Sequence, residues 1–182
     1  MTLIEIKDAL SRAQKGILQY TELMRLFAMV DVSDDAKFQR AYNAFYRVQR
    51  RQESWYRGYY SLMQSLKGKN STFSDILDEI YRLTGRYEPS FASKLLATID
   101  PSKPVWDRFV LENSGHKAPS YSHKEKFELA KKVYASLEKW YSEFVDSADG
   151  QNCIAEFDRT VVSDFCFTDV KKVDFILWQT RK

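Results

Sequence analysis

Cysteine is nearly missing from this 182-residue chain, with only Cys153 and Cys166. Two cysteines make no disulfide framework in a chain this long, so they read as buried free thiols in a reducing compartment. Glycine (six) and proline (four) are also scarce, which leaves little room for a many-turned β sandwich and favours helices. The two histidines, His116 and His123, flank a Pro-Ser turn with no cysteine or carboxylate at ligand spacing, so no metal site is expected. No apolar run approaches a membrane span, and the opening MTLIEIKDALSRAQKG has no signal-peptide core. A cytoplasmic protein that does not enter a membrane is the expectation. GxSxG, Walker, HExxH and CxxC patterns are all missing, and no cofactor is implied.

What is abundant is aromatic: 15% Phe, Trp and Tyr within 44% hydrophobic residues. Such a chain can bury a sizeable core. Its organisation reads as a single all-α domain over residues 1–182, or as two helical lobes with 1–70 and 120–182 packing around 71–119. The net charge is only +3, but it is unevenly placed. Residues 36–70 carry eight Lys or Arg against one acid, Glu53. Residues 144–170 carry six acids against Arg159. That asymmetry predicts a positive face able to meet a polyanion, or one answered by the acidic segment of the same molecule.

Helical periodicity runs through most of the chain. Leu3, Ile6 and Leu10 start it, and Gly16 is expected to loosen a join before Leu23, Met24 and Phe27. Ser33 reads as the N-cap of one long helix to about Leu66, buried along Phe38, Tyr42, Phe45, Val48, Trp55, Tyr59, Leu62 and Met63, with a kink at Gly58. A helix through Ile76, Leu77, Ile80 and Leu83 ends at Gly85, and Pro89 opens the next. Further helices are predicted after Asp107, from about Lys124 to Val145, through Cys153 and Phe157, and after Thr168.

The stretch FSDILDEIYRLTGRYEPSFASKLLATIDPSKPVWDRFV is similar in layout to the helix-hairpin-helix core of base-excision DNA glycosylases: a helix, a glycine turn, a helix, then an Asp at a helix start. The ending TDVKKVDFILWQTR is similar to the C-terminal helix of distant glycosylase-like proteins. YNAFYRVQRRQESWYRGYYSLM, taken with EPSFASKLLATIDPSKPVWDRFV, resembles a widespread bacterial family with no assigned function. The resemblance implies an all-α fold with a helix-hairpin-helix-like core and DNA as partner. Gly85, Arg86 and Ser90 would then face a phosphate, which anchors DNA without reading its sequence. Asp107 would be the carboxylate that stabilises positive charge on the sugar as a flipped base departs, with Tyr87, Trp106 and Phe109 walling the base pocket. TGRYEPS has one glycine where that hairpin usually has two, and Glu88 stands where a phosphate would be repelled. Strand-cutting relatives carry a lysine at the start of the second helix. That place falls near Pro89 or Ser90 here, with Lys94 a turn further in, so no Schiff-base lyase is implied.

The same residues have plainer readings. Asp107 before RFVLEN is a good N-cap, and Lys94 reads as a solvated helix residue. In FYRVQRRQESWYRGYY four arginines alternate with aromatics, as in proteins that bind single-stranded nucleic acid. Arg47, Arg50, Arg51 and Arg57 are therefore the candidate polyanion contacts. A surface helix with a charged face opposite an apolar stripe gives the same pattern. Two functions stand side by side: a DNA-binding protein of glycosylase-like fold that excises a base with Asp107, and a non-catalytic helical interaction module.

Overall fold

A computed structural model describes residues 1–180. Among the described residues the ordered elements are nine α-helices and no strand: α1 (Leu3–Met29), α2 (Ala36–Tyr46), α3 (Glu53–Leu66), α4 (Phe73–Thr84), α5 (Pro89–Ile99), α6 (Arg108–Asn113), α7 (Lys126–Asp146), α8 (Ala148–Thr160) and α9 (Asp169–Gln179). The protein is all-α. No helix among these residues is long and apolar enough to cross a membrane. The chain divides into two compact units: residues 15–99, and residues 1–14 together with the chain from 100 onward.

Three sequence expectations are corrected here. Gly16 breaks nothing: α1 runs through it, with Ala13 and Ile17 buried on either side. The long helix predicted over 33–66 is two helices, α2 and α3, parted at residues 47–52 rather than kinked at Gly58. Its N-cap is Asp35, whose carboxylate accepts the Phe38 N–H at 2.6 Å. Ser33 instead bonds the Asp31 carboxylate, through its hydroxyl at 2.5 Å and its N–H at 2.9 Å.

The unit of residues 15–99 holds much of the aromatic content. Tyr20, Phe38, Tyr42, Phe45, Tyr46, Trp55, Tyr59 and Tyr60 are all buried. Among them the Tyr42 hydroxyl lies 2.7 Å from that of Tyr59, which donates to the Phe91 carbonyl at 2.9 Å. Tyr60 donates to Asn43 Oδ1 at 2.7 Å. Such bonds let a tyrosine contribute its large apolar area to a core without an orphaned hydroxyl. The Trp55 and Tyr59 rings stack at 4.7 Å between centroids. α4 packs on α5 and on α3, and Ile76, Leu77, Ile80, Leu95, Leu96 and Met63 of these helices are buried.

The second unit packs α6, α7, α8 and α9. At its centre Lys171 and Asp174 pair at 2.8 Å with side chains only 2% exposed, and Tyr141 donates to the other Asp174 oxygen at 3.0 Å. Ser147 ends α7 and caps α8 by accepting the Gly150 N–H at 3.1 Å. Four of the six acids of residues 144–170 are paired within this unit: Asp149 with the N-terminal ammonium, Glu156 with Arg159, and Asp158 and Asp169 with Lys172. Cys153 is buried, and burial pushes its thiol up to about 11. Cys166 is exposed, which corrects the expectation that both thiols are buried.

Candidate functional site

The break between α2 and α3 is where the arginines gather. Arg47 is the C-cap of α2 and takes the left-handed conformation at φ 55°, with its N–H on the Asn43 carbonyl. Val48 then dives into the core at 2% exposure. Arg50 is left-handed as well, at φ 57°. Non-glycine residues avoid this region because Cβ crowds the following carbonyl, at about 1–2 kcal/mol. The buried Val48 side chain and the packed helices on either side hold the chain there. α3 then starts without a side-chain cap, because Gln52 makes no capping bond.

α4 ends on Gly85, left-handed at φ 67°, with its N–H on the Tyr81 carbonyl. Residues 86–88 lead directly into α5, whose first N–H bonds, from Phe91 and Ala92, go to the Glu88 carbonyl. Pro89 at the first turn loses no needed donor. Glu88 is not a repulsive element beside an open face. Its carboxylate is buried and takes two guanidiniums, Arg51 at 2.9 Å and Arg86 at 3.1 Å. Arg51 also lies over aromatic rings, 5.0 Å from the Phe91 centroid and 5.5 Å from that of Trp55. Planar, weakly hydrated guanidinium suits such stacking better than an ammonium does.

These pieces frame a recess of about 410 Å³, lined by Arg50, Arg51, Gln52, Ser54, Trp55, Leu83, Thr84 and Arg86. Three arginines share it with a single carboxylate, Glu88, behind two of them. Among the described residues neither Arg47 nor Arg50 has an ion-pair partner, and both are exposed. Arg57 is different: it pairs with Glu53 at 3.1 Å on the outer side of α3, away from the recess lining. Gln52, Ser54, Trp55, Leu83 and Thr84 were not sequence candidates for this site. No local signal marks them as one site, because the recess joins segments that lie far apart along the chain.

The remaining candidates are placed as follows. Tyr87 is buried, and Ser90 is half-buried with its carbonyl accepting the Ser93 hydroxyl at 3.0 Å. Lys94 is not a solvated residue, which corrects the sequence reading: its ammonium donates to the Tyr46 carbonyl at 3.1 Å and lies 5.0 Å from the Phe91 centroid. Tyr46 is the last residue of α2, so Lys94 meets the negative end of that helix. Asp107, Trp106 and Phe109 belong to the other unit. Trp106 is buried and Phe109 is half-exposed with the Arg108 guanidinium 5.7 Å from its ring. Asp107 is half-buried and accepts the Phe109 N–H at 2.8 Å as the N-cap of α6. The histidines are held by serines and backbone: His116 by the Ser114 and Ser136 hydroxyls, His123 by the Glu125 N–H. Set against known proteins, the chain matches no family model, no curated protein and no solved structure.

Proposed function

We propose that this protein binds DNA through the unit of residues 15–99, with the recess of Arg50, Arg51 and Arg86 and the neighbouring Arg47 meeting the phosphate backbone. The observation that carries the reading is the recess itself, where three guanidiniums are answered by one carboxylate. Unpaired, exposed arginines held in a costly backbone conformation fit a ligand contact better than a solvated helix face, because strain of this kind concentrates at functional positions. On this reading α4, the Gly85 turn and α5 form the helix-hairpin-helix-like element, and Glu88 sets Arg51 and Arg86 in place. Phosphate contacts of this kind position a protein on DNA without specifying sequence.

Base excision is the narrower form of the proposal, with Asp107 as the carboxylate. One observation favours the non-catalytic form: the Phe109 N–H already gives the Asp107 carboxylate a structural role. Both forms are tested on the full chain. Binding to a fluorescent duplex is expected to weaken steeply with salt, by about 10³-fold or more between 50 and 200 mM for six or more phosphate contacts. Arg47→Ala and Arg86→Ala each lower the salt slope by about 1 and weaken all sequences alike. A salt-independent signal removes DNA as the partner and leaves the interaction module. Duplexes carrying single damaged bases are expected to gain no abasic sites; abasic sites that vanish with Asp107→Asn would establish the enzyme instead.

A further inference from the structure

Two donors at the wall of the recess lack acceptors. Trp55 Nε1 and Arg51 Nε are both closed to solvent and make no hydrogen bond. Trp55 is 6% exposed and lines the recess. An unmet buried N–H costs on the order of 1–3 kcal/mol, and native folds hold few of them. The same wall carries the uncapped start of α3, through Gln52 and Ser54. The Trp55 N–H turns back onto the Gln52 carbonyl at 3.0 Å, so in this 14-residue helix the Glu53 and Ser54 N–H groups and the positive end of the dipole add to the field. Lone buried donors, an open helix start and guanidiniums at one place are the complement of a single compact anion.

The charge balance narrows the class. Arg50, Arg51 and Arg86 against Glu88 leave two positive charges. A phosphodiester brings one negative charge and must leave the site in two directions. A phosphate monoester brings close to two at neutral pH, ends in three acceptor oxygens and leaves in one direction. The recess volume of about 410 Å³ leaves room for the attached sugar as well.

We propose that this recess is a phosphate-monoester site, taking the terminal phosphate of a nucleic-acid strand. The inference deepens the DNA reading above and rests on it for the strand, while the anion site stands on the donors alone. The monoester's oxygens accept from Arg50, Arg86 and the start of α3, and, as the Arg51 side chain gives way, from Arg51 Nε and Trp55 Nε1. No bond is made or broken.

The test uses the full chain and three matched single-stranded oligonucleotides, with a 5′-phosphate, with a 3′-phosphate and with hydroxyl ends only. A phosphorylated end is expected to bind about tenfold more tightly, the effect of one charge-assisted hydrogen bond. Arg86→Ala, an exposed position that leaves the core intact, is expected to abolish that preference. In parallel, the indole N–H resonance of Trp55, assigned with Trp55→Phe, is followed by NMR against inorganic phosphate and thymidine 5′-monophosphate. Equal affinity for all three oligonucleotides, with the Trp55 resonance unmoved, overturns the monoester site and leaves backbone binding in place. A Trp55 resonance that moves with thymidine monophosphate while no oligonucleotide binds supports the site as one for a free nucleotide and removes the DNA reading. Preference for a phosphorylated end that survives Arg86→Ala places the recognition elsewhere and overturns the assignment.

Discussion

Arg51, from the break between α2 and α3, meets Glu88, from the turn before α5, at 2.9 Å with both side chains largely buried. That ion pair fastens two segments distant in sequence, with Arg51 lining the arginine recess. Glu88 also takes Arg86, so its removal leaves two guanidiniums without a counter-charge. Breaking one side of a buried pair costs more than the pair contributes, because the remaining charge stays desolvated. Glu88→Gln is therefore expected to lower unfolding stability by about 3 kcal/mol, read by urea denaturation. The same variant raises the positive charge of the recess, so DNA affinity at low salt is expected to rise. A stable variant with unchanged affinity would show that Glu88 neither braces nor tempers the site.

Arg47 and Arg50 set stability against binding. Both are left-handed, where glycine carries no Cβ penalty. Arg50→Gly and Arg47→Gly are each expected to raise stability by up to about 1 kcal/mol, the relief of the left-handed strain less the extra freedom of glycine in the unfolded chain. Each is also expected to weaken DNA binding. Thermal unfolding alongside anisotropy measures the two effects on one sample. A variant less stable than the parent would mean that the arginine side chains hold the break together.

The fold was more legible than the site. Apolar spacing marked α4, α5, α7, α8 and α9, because each presents one stripe to a neighbour and the caps at Thr72, Gly85 and Thr168 are ordinary ones. The break at residues 47–52 left no local sign. Val48 and Trp55 both fit the helical stripe, and neither glycine nor proline falls between them. The chain turns there because Val48 is buried while the backbone at Arg47 and Arg50 pays in strain, a balance decided by packing. The arginine cluster was visible as composition, whereas its partner was not. Glu88 read as an obstacle to phosphate because its contact with Arg51 joins residues far apart along the chain. Lys94 was misread for the same reason: its acceptor is the Tyr46 carbonyl at the end of α2.

The joint between α7 and α8 depends on one glycine. A Cβ built on Gly150 collides with the backbone carbonyl of Phe144, which lies in the last turn of α7 and accepts the Ser147 hydroxyl at 2.7 Å. Backbone atoms cannot step aside as a flexible side chain can. Gly150→Ala is expected to destabilise the protein by about 3 kcal/mol, at the upper end of overpacking costs. Gly58, with nothing near its Cβ position, is the control: Gly58→Ala should stabilise α3 by up to about 1 kcal/mol. Parallel urea titrations separate the two, and equal effects would contradict the collision.

The buried tyrosines fix the alkaline limit of stability. Burial raises the hydroxyls of Tyr42, Tyr59 and Tyr60, and burial followed by the neighbouring Asp174 raises that of Tyr141. An unfolded chain releases each of these protons near pH 10, while the folded chain keeps them. Below about pH 10 both states are protonated and the stability is fully present. Above it the unfolded state binds fewer protons than the native state, so stability falls as pH rises, by up to about 1.4 kcal/mol per pH unit for each tyrosine. Urea midpoints should therefore stay flat on approach to that pH and drop beyond it, with tyrosinate absorbance appearing only as the protein unfolds. Tyr60→Phe should remove about one proton from the slope, since its hydroxyl bonds Asn43 and only weakly reaches the Gln39 carbonyl at 3.3 Å. Tyrosinate absorbance that rises in full while the protein remains folded would mean that these hydroxyls titrate in the native state.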